Sequence, residues 1–257
     1  MKKAALTVLL TLASTLCFSF QPDTLSVSTE PVQKSAKYPN ISYQKASRYA
    51  IPVALVGYGF TSLNKGMAWR TDKELNHELM EEIPGFATNF DDKLQYAPVA
   101  MVYTLEAIGI KGKNNLFDRT ALYLISNSLM GLTVNFLKEH TSKLRPSGDD
   151  RRSFPSGHTA TAFVAAEFMR QEFKDKSPVY GYVSYSLAGA TGALRMMNNK
   201  HWFSDVLAGA GVGIASTKLT YLAYPWIKKK IIKKNLNIIA VPLIQKKITG
   251  FSAIAWL

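Results

Sequence analysis

Residues 154–173 read FPSGHTATAFVAAEFMRQEF, and this stretch decides the fold. Small and apolar residues fill it over a length that is typical of a helix rather than a strand. Ser156 stands just before the run and is predicted to be the N-cap of that helix. The chain has five apolar segments of helix length, which are Leu94–Ile110, Arg119–Leu137, 156–173, Val179–Met196 and Ser204–Ile227. The sequence therefore predicts an all-α bundle, and the run of small residues at 209–213 (GAGVG) predicts close helix packing.

The rest of the chain divides into a leader and a tail. Residues 1–20 begin with Met-Lys-Lys and continue as an apolar run, which is typical of a signal peptide or an N-terminal anchor. Residues 21–48 are rich in Ser, Thr, Pro and Lys and are interpreted as a flexible leader. The helical domain is assigned to 49–234 and the tail to 235–257. In the tail, two β-branched and aromatic runs on either side of a Lys pair predict a small hairpin.

Charge and cysteine content exclude several kinds of protein. The formal net charge is +13, and residues 206–257 contain eight lysines and no acidic residue. These lysines alternate with apolar runs, which favours a membrane surface as partner and counts against nucleic acid. The chain has one cysteine, Cys17, so we expect no intrachain disulfide and no cysteine-based metal site.

Loop charges predict an orientation if all five segments cross a membrane. The loops at 111–119 and 170–178 and the lysines after Trp226 then fall on one side, and their basic character is typical of the cytoplasmic side. The loops at 138–157 and 197–203 fall on the periplasmic side. The expected location is thus the inner membrane of a bacterial cell envelope. The mean hydropathy of −0.02 is low for such a protein and keeps a soluble alternative open.

Basic residues near the second half of the bundle form a set suited to a phosphate dianion. Arg145 and Arg195 can each bind two oxygens, and Lys138 adds a point charge. Free N–H groups at the helix start after Ser156 and Gly157 would face the anion. With this much positive charge no metal or cofactor is needed, and the sequence shows no compact acidic cluster that would hold two metals.

Two histidines are the candidates for covalent and acid–base chemistry. His201 and Asp205 are four residues apart, so the carboxylate is predicted to hold one imidazole nitrogen and leave the other as nucleophile. His158 is predicted to donate a proton to the leaving group and later take one from water. A single histidine is more often structural, so the hypothesis depends on the whole set.

The set occurs in three motifs that together resemble a known family. They are KEHTSKLRP at 138–146, FPSGH at 154–158 and RMMNNKHWFSD at 195–205. In this order they are similar to the K-x6-RP, PSGH and R-x5-H-x3-D motifs of the type 2 phosphatidic acid phosphatase superfamily. Leu194 stands where that family usually has a serine. The resemblance implies a metal-independent phosphatase with His201 as nucleophile, His158 as acid and base, and Asp205 as the orienting carboxylate.

The resemblance leaves the substrate open. The family also includes soluble acid phosphatases and vanadate-dependent haloperoxidases. The export segment and apolar helices favour a phosphorylated membrane lipid, and the motif region looks similar to envelope lipid A phosphatases of the Bacteroides-like kind. Phosphatidylglycerophosphate and undecaprenyl diphosphate are the alternative substrates. A lipid-binding membrane protein with a decayed site is the non-enzymatic alternative.

Overall fold

The computed structural model describes residues 43–233, 237–245 and 248–256. The helices of this part, in chain order, are α1 (Tyr43–Thr61), α2 (Met67–Glu82), α3 (Phe90–Leu94), α4 (Ala97–Ala107), α5 (Leu116–Thr141), α6 (Gly157–Phe173), α7 (Val179–Met197) and α8 (Phe203–Lys233). Two strands follow, β1 (Asn237–Gln245) and β2 (Ile248–Trp256), which pair in antiparallel register. The predicted signal segment 1–20 and most of the leader lie outside the described residues.

The chain divides into two compact units at residues 218 and 219. The first contains α1 to α7 and the part of α8 up to Lys218, and the second contains the remainder of α8 and the two strands. All of the candidate site residues belong to the first unit.

Helix α6 lies at the centre of the first unit and is buried on nearly all sides. It packs against α4, α5 and α7, and buried alanines such as Ala160 and Ala166 bring those neighbours close. Helix α8 also approaches it closely. A Cβ added to Gly209 would lie 2.5 Å from the carbonyl oxygen of Ser156, and one added to Gly213 would lie 2.4 Å from that of Ala160. The prediction of close packing at the small-residue run is therefore confirmed.

Four of the five predicted apolar segments are continuous helices, and the first is not. The chain bends at Gln95 and Tyr96 between α3 and α4, because Pro98 begins a new helix. Helix α4 has 11 residues and is about 16 Å long, much shorter than a hydrocarbon core of about 30 Å. The prediction that Leu94–Ile110 forms one continuous helix is wrong.

The first helix also begins earlier than predicted. Residues 43–48, interpreted from sequence as the end of a flexible leader, form the first turns of α1. Helix α2 starts at Met67, and its N-cap is Gly66.

Among the described residues, two helical stretches are long and apolar enough to cross a membrane. They are Leu116–Thr141, which is α5, and Phe203–Lys230 within α8. The two differ in burial, since 22% of the most apolar window of α5 is buried against 67% for α8. The apolar side chains of α5 are thus mostly on the surface of the protein.

Candidate active site

The three motifs meet at one end of the helical unit. Lys138 lies in the last turn of α5, Arg195 in the last turn of α7, and His158 in the first turn of α6. Helices α6 and α8 begin at this end, and the backbone N–H of Ser156 donates to the carbonyl of Asp205 at 3.0 Å. The structure therefore brings together residues from four helix ends, as the motif hypothesis requires.

His201 lies in the bend between α7 and α8 and is 3% exposed. Burial lowers the pKa of its imidazole to about 4, although the nearby Asp205 opposes this change. The positive charges of Lys138 and Arg195 lower that pKa further, so both cations lie near the imidazole. His201 is consequently neutral at pH 7, which is the form that a nitrogen nucleophile needs.

Asp205 does not hold the imidazole in the way the sequence predicted. The distance from its Oδ2 to Nδ1 of His201 is 3.7 Å, and no described residue offers that nitrogen a hydrogen bond. Oδ2 instead accepts hydrogen bonds from the Ser153 hydroxyl and, at 3.0 Å, from the backbone N–H of Trp202. Trp202 immediately precedes α8, so the carboxylate satisfies one of the free N–H groups at the helix start.

Lys143 is a site residue that the sequence analysis missed. Its ammonium is buried, and its distance to Oδ1 of Asp205 is 2.9 Å. It also lies 3.1 Å from Oδ2 of Asp72, 2.8 Å from the Ser204 hydroxyl and 2.9 Å from that of Ser62. Burial raises the pKa of Asp72, and Lys143 partly offsets that effect. Lys143 falls in the spacer of the first motif, and its partner Asp72 is 71 residues away, so nothing local reveals the pair.

The start of α6 is where the sequence predicts an anion site. Ser156 is the N-cap residue, and its hydroxyl oxygen accepts from the backbone N–H of Thr159. Within the described part of the chain, the backbone N–H groups of Gly157 and His158 have no acceptor. Such unpaired donors at a helix start favour a bound anion.

Each predicted phosphate-binding cation has a partner in this structure. Lys138 donates to the carbonyl of Arg152, and Nε of Arg145 donates to Asp150 at 2.9 Å. The Nη1 atom of Arg195 donates to Oδ2 of Asp91 at 2.6 Å. Nε of Arg195 is buried and has no partner among the described residues. The partners of the two arginines are side-chain carboxylates, which carry negative charge as a phosphate does.

His158 has a carboxylate partner that the sequence analysis did not find. Its Nε2 atom lies 2.7 Å from Oδ1 of Asp92. Burial and the charge of Arg195 lower the pKa of His158, while Asp92 and Asp91 oppose that effect. Asp91, Asp92 and His158 bring ligand-type atoms within 4.8 Å of one another. The sequence analysis considered only an acidic cluster that would hold two metals, and it missed this group because Asp92 and His158 are 66 residues apart.

The family of this segment follows from its match to known proteins. Residues 119–229 match the model of the PAP2 superfamily. All three motifs, from Lys138 to Asp205, lie within the matched residues. This stretch of the chain is similar to the PAP2 superfamily.

The chain is also similar to individual proteins. The chain is 38% identical over 149 residues, or 58% of its length, to a lipid A 1-phosphatase from Porphyromonas gingivalis. It spans only about a third of that relative, 33% of its length. The crystal structure of Aquifex aeolicus LpxE is similar with a TM-score of 0.44 and 22% identity, covering 58% of this chain and 95% of the other. That of a transmembrane PAP2 type phosphatidylglycerolphosphate phosphatase from Bacillus subtilis gives a TM-score of 0.39 and 18% identity, with coverage of 90% and 96%.

Proposed function

We propose that this chain is a metal-independent phosphatase that removes a phosphate from an envelope lipid, preferably lipid A, through a phosphohistidine on His201. The observation that carries the proposal is the buried, neutral imidazole of His201 beside the charges of Lys138 and Arg195. A neutral nucleophile surrounded by fixed cations suits attack on a dianion, because the cations offset the charge of the phosphate.

In the first step, the ring nitrogen of His201 that faces away from Asp205 attacks phosphorus. The P–N bond forms as the ester P–O bond breaks, and His158 donates a proton to the departing oxygen. Lys138, Arg145, Arg195 and the free N–H groups at the start of α6 hold the equatorial oxygens. The products of this step are the dephosphorylated lipid and phosphohistidine.

In the second step, His158 takes a proton from water as the water oxygen attacks phosphorus. The P–N bond breaks, and inorganic phosphate leaves while His201 returns to its neutral form. Asp205 lies 3.7 Å from His201 before reaction, and the positive charge on the phosphorylated ring would draw the two groups together. This closure would give the carboxylate its orienting role in the intermediate.

The relative from Porphyromonas gingivalis, a lipid A 1-phosphatase that is 38% identical over 58% of this chain, supports lipid A as the preferred substrate. The closest alternatives are phosphatidylglycerophosphate and undecaprenyl diphosphate, which present the same phosphate chemistry. A direct comparison decides among them. Purified protein in detergent micelles should be given all three lipids, and phosphate release should be fastest from lipid A.

A membrane location is favoured over a soluble phosphatase by the surface of α5. Its side chains Leu132 and Phe136 are 73% and 58% exposed, and Leu129 is 36% exposed. A continuous exposed apolar face of this kind is costly in water and stable in lipid. Washing membranes with carbonate should leave the protein in the pellet, whereas a soluble phosphatase would be released.

We infer that the site faces the periplasm. The loops at 111–119 and 170–178 meet at the far end of α5 and α6, where the backbone N–H of Lys113 donates to the carbonyl of Glu172 at 2.9 Å. These loops are basic, which favours the cytoplasmic side. A cysteine placed at Asp149, in a Cys17→Ser background, should react with an impermeant reagent added outside spheroplasts. Reaction only after lysis would overturn the orientation.

The central experiment traces the phosphate group from the lipid to the protein. Protein incubated briefly with radiolabelled lipid A and quenched in base should carry label on His201, and mass spectrometry should locate it. Mass spectrometry of lipid A from cells with and without the gene should show the loss of one phosphate group only when the gene is present. Label on another residue would overturn the mechanism, and turnover of other lipids alone would overturn the substrate.

A further inference from the structure

Two adjacent aspartates in α3 contact two different parts of the site. Asp91 accepts from Nη1 of Arg195 at 2.6 Å, and Asp92 lies 2.7 Å from Nε2 of His158. Arg195 is at the end of α7 and His158 is at the start of α6. One short helix therefore connects a predicted phosphate-binding arginine with the predicted proton donor.

Asp91 fixes this helix in place. Its side chain is 1% exposed, and its Oδ1 atom also accepts from the amide of Asn198 at 3.1 Å. Asn198 in turn bonds both the N–H and the carbonyl of Thr88, each at 2.9 Å. These contacts hold residues 88–91 against the end of α7. The neighbouring Asp92 is thereby presented to His158 from a fixed backbone.

Asp92 is bound differently from Asp91. Its side chain is 55% exposed, and His158 is the partner found for it within the described residues. Because Asp92 occupies Nε2, the Nδ1 atom of His158 remains available for the substrate. A carboxylate on one imidazole nitrogen fixes the ring orientation and determines which nitrogen exchanges a proton with the substrate.

We propose that Asp92 is a positioning residue for the proton donor His158, anchored through its neighbour Asp91. The proposal rests on the proposed phosphatase function. In the first step, Nδ1–H of the His158 imidazolium donates to the leaving oxygen while Asp92 keeps Nε2–H. In the second step, Nδ1 takes the proton from the attacking water, and Nε2–H stays on Asp92.

The residue lies outside the three motifs and before residue 119, where the family match begins. The motif pattern therefore gives it no role. In the structure, each of the two histidines of the site has a nearby carboxylate, but their geometries differ. Asp92 hydrogen bonds His158 at 2.7 Å, whereas Asp205 lies 3.7 Å from His201.

The test compares two substrates that differ in how much they need the acid. Octyl phosphate has a poor leaving group that requires protonation, whereas p-nitrophenyl phosphate has a good one. With intact protein in detergent, Asp92→Asn should lower the single-turnover rate of phosphoryl transfer from octyl phosphate by about tenfold or more, because general acid catalysis contributes about a hundredfold or more when intact. The same variant should change the first step with p-nitrophenyl phosphate, read from the burst of p-nitrophenol, by less than about threefold. Asp92→Glu should restore part of the octyl phosphate activity.

Glu81→Gln is the matched control. Glu81 forms an exposed ion pair with His77 at 3.3 Å on α2. The Glu81→Gln variant therefore removes a carboxylate from a histidine that has no part in the motifs. It should leave both activities unchanged. Thermal unfolding in the same detergent should show Asp92→Asn and Glu81→Gln folded to the same extent.

Three results would overturn the role of Asp92. One is an equal loss for both substrates in the first step, which would indicate a binding or folding effect. Another is full activity of Asp92→Asn on both. The third is loss of wild-type activity in chelator with recovery on adding a divalent cation, which would make Asp91, Asp92 and His158 metal ligands. Wild-type protein that turns over neither probe would instead contradict the proposed function itself.

Discussion

Lys143 donates a 2.9 Å hydrogen bond to Asp205, so the carboxylate beside the proposed nucleophile His201 is shared with a buried ammonium. Nδ1 of His201 is farther from the same carboxylate, at 3.7 Å. Before reaction Asp205 is therefore bound mainly by Lys143, Ser153 and the start of α8. Its contribution to catalysis is expected to appear only after His201 acquires positive charge.

The two site histidines should respond differently to removal. His201→Ala should abolish turnover and leave no phosphoenzyme, with a loss of several powers of ten, because the covalent step has no nucleophile. His158→Ala should retain attack on p-nitrophenyl phosphate but accumulate phosphoenzyme, since no base activates water. Rapid-quench labelling measures both. Near wild-type turnover by His201→Ala would contradict the mechanism.

The pKa of His201 gives a spectroscopic prediction. Because burial lowers it to about 4, the imidazole should stay neutral from pH 8 down to roughly pH 5 and become charged only below that range. Nitrogen chemical shifts of histidine-labelled protein in micelles would follow this titration, with His201→Ala assigning the signal. Asp205→Asn should move it to still lower pH, since Asp205 favours the charged form. Titration near pH 6.5 would show that the ring is solvated.

Removing the buried ammonium should cost stability in a pH-dependent way. Lys143→Met leaves Asp72 and Asp205 without their counter-charge, and breaking a buried pair costs about 3–5 kcal/mol. Burial already raises the pKa of Asp72, so its proton is held more tightly in the folded state than in the unfolded state. The stability of Lys143→Met should therefore be highest at low pH and fall as pH rises, as measured by thermal unfolding in detergent.

Two companion variants sharpen that measurement. Lys176→Met removes an exposed lysine and should change the unfolding temperature little. The double variant Lys143→Met with Asp72→Asn removes a charge of each sign and should recover part of the lost stability. If Lys143→Met were as stable as Lys176→Met at every pH, the buried network would have no energetic role.

Turnover should survive EDTA, because Lys138, Arg145, Arg195 and the N–H groups at the start of α6 supply the positive charge. Vanadate should inhibit competitively, since it adopts the trigonal-bipyramidal geometry of phosphoryl transfer. Initial rates on p-nitrophenyl phosphate, with and without chelator, measure the first point. Activity that is lost in EDTA and restored by Mg²⁺ or Zn²⁺ would place a cation at Asp91, Asp92 and His158.

Sequence reasoning predicted the features that depend on neighbouring residues and missed the contacts between residues far apart in the chain. The N-cap role of Ser156 and the close packing at Gly209 and Gly213 follow from short patterns, and both are confirmed. The contacts of Asp92 with His158 and of Lys143 with Asp72 join residues 66 and 71 positions apart. Periodicity carries no information about such pairs, because their partners come from separate helices.

The break between α3 and α4 shows a second limit. An apolar run of suitable length predicts one helix from Leu94 to Ile110, but Pro98 cannot donate to the preceding turn and instead starts a new helix. The bend has a structural consequence, because it places α3 and its two aspartates at the site end of the unit. The prediction of a single helix is therefore wrong at Gln95 and Tyr96, which separate α3 from α4.

The pairing of the site cations with carboxylates affects how the catalytic cycle ends. Arg145 holds Asp150, an exposed carboxylate, when no substrate is bound. Inorganic phosphate that dissociates does not leave a bare Arg145 behind, because Asp150 returns to it. Internal anions that compete with the product weaken product inhibition and speed its exit. An enzyme with this arrangement would keep turning over while free phosphate accumulates around it.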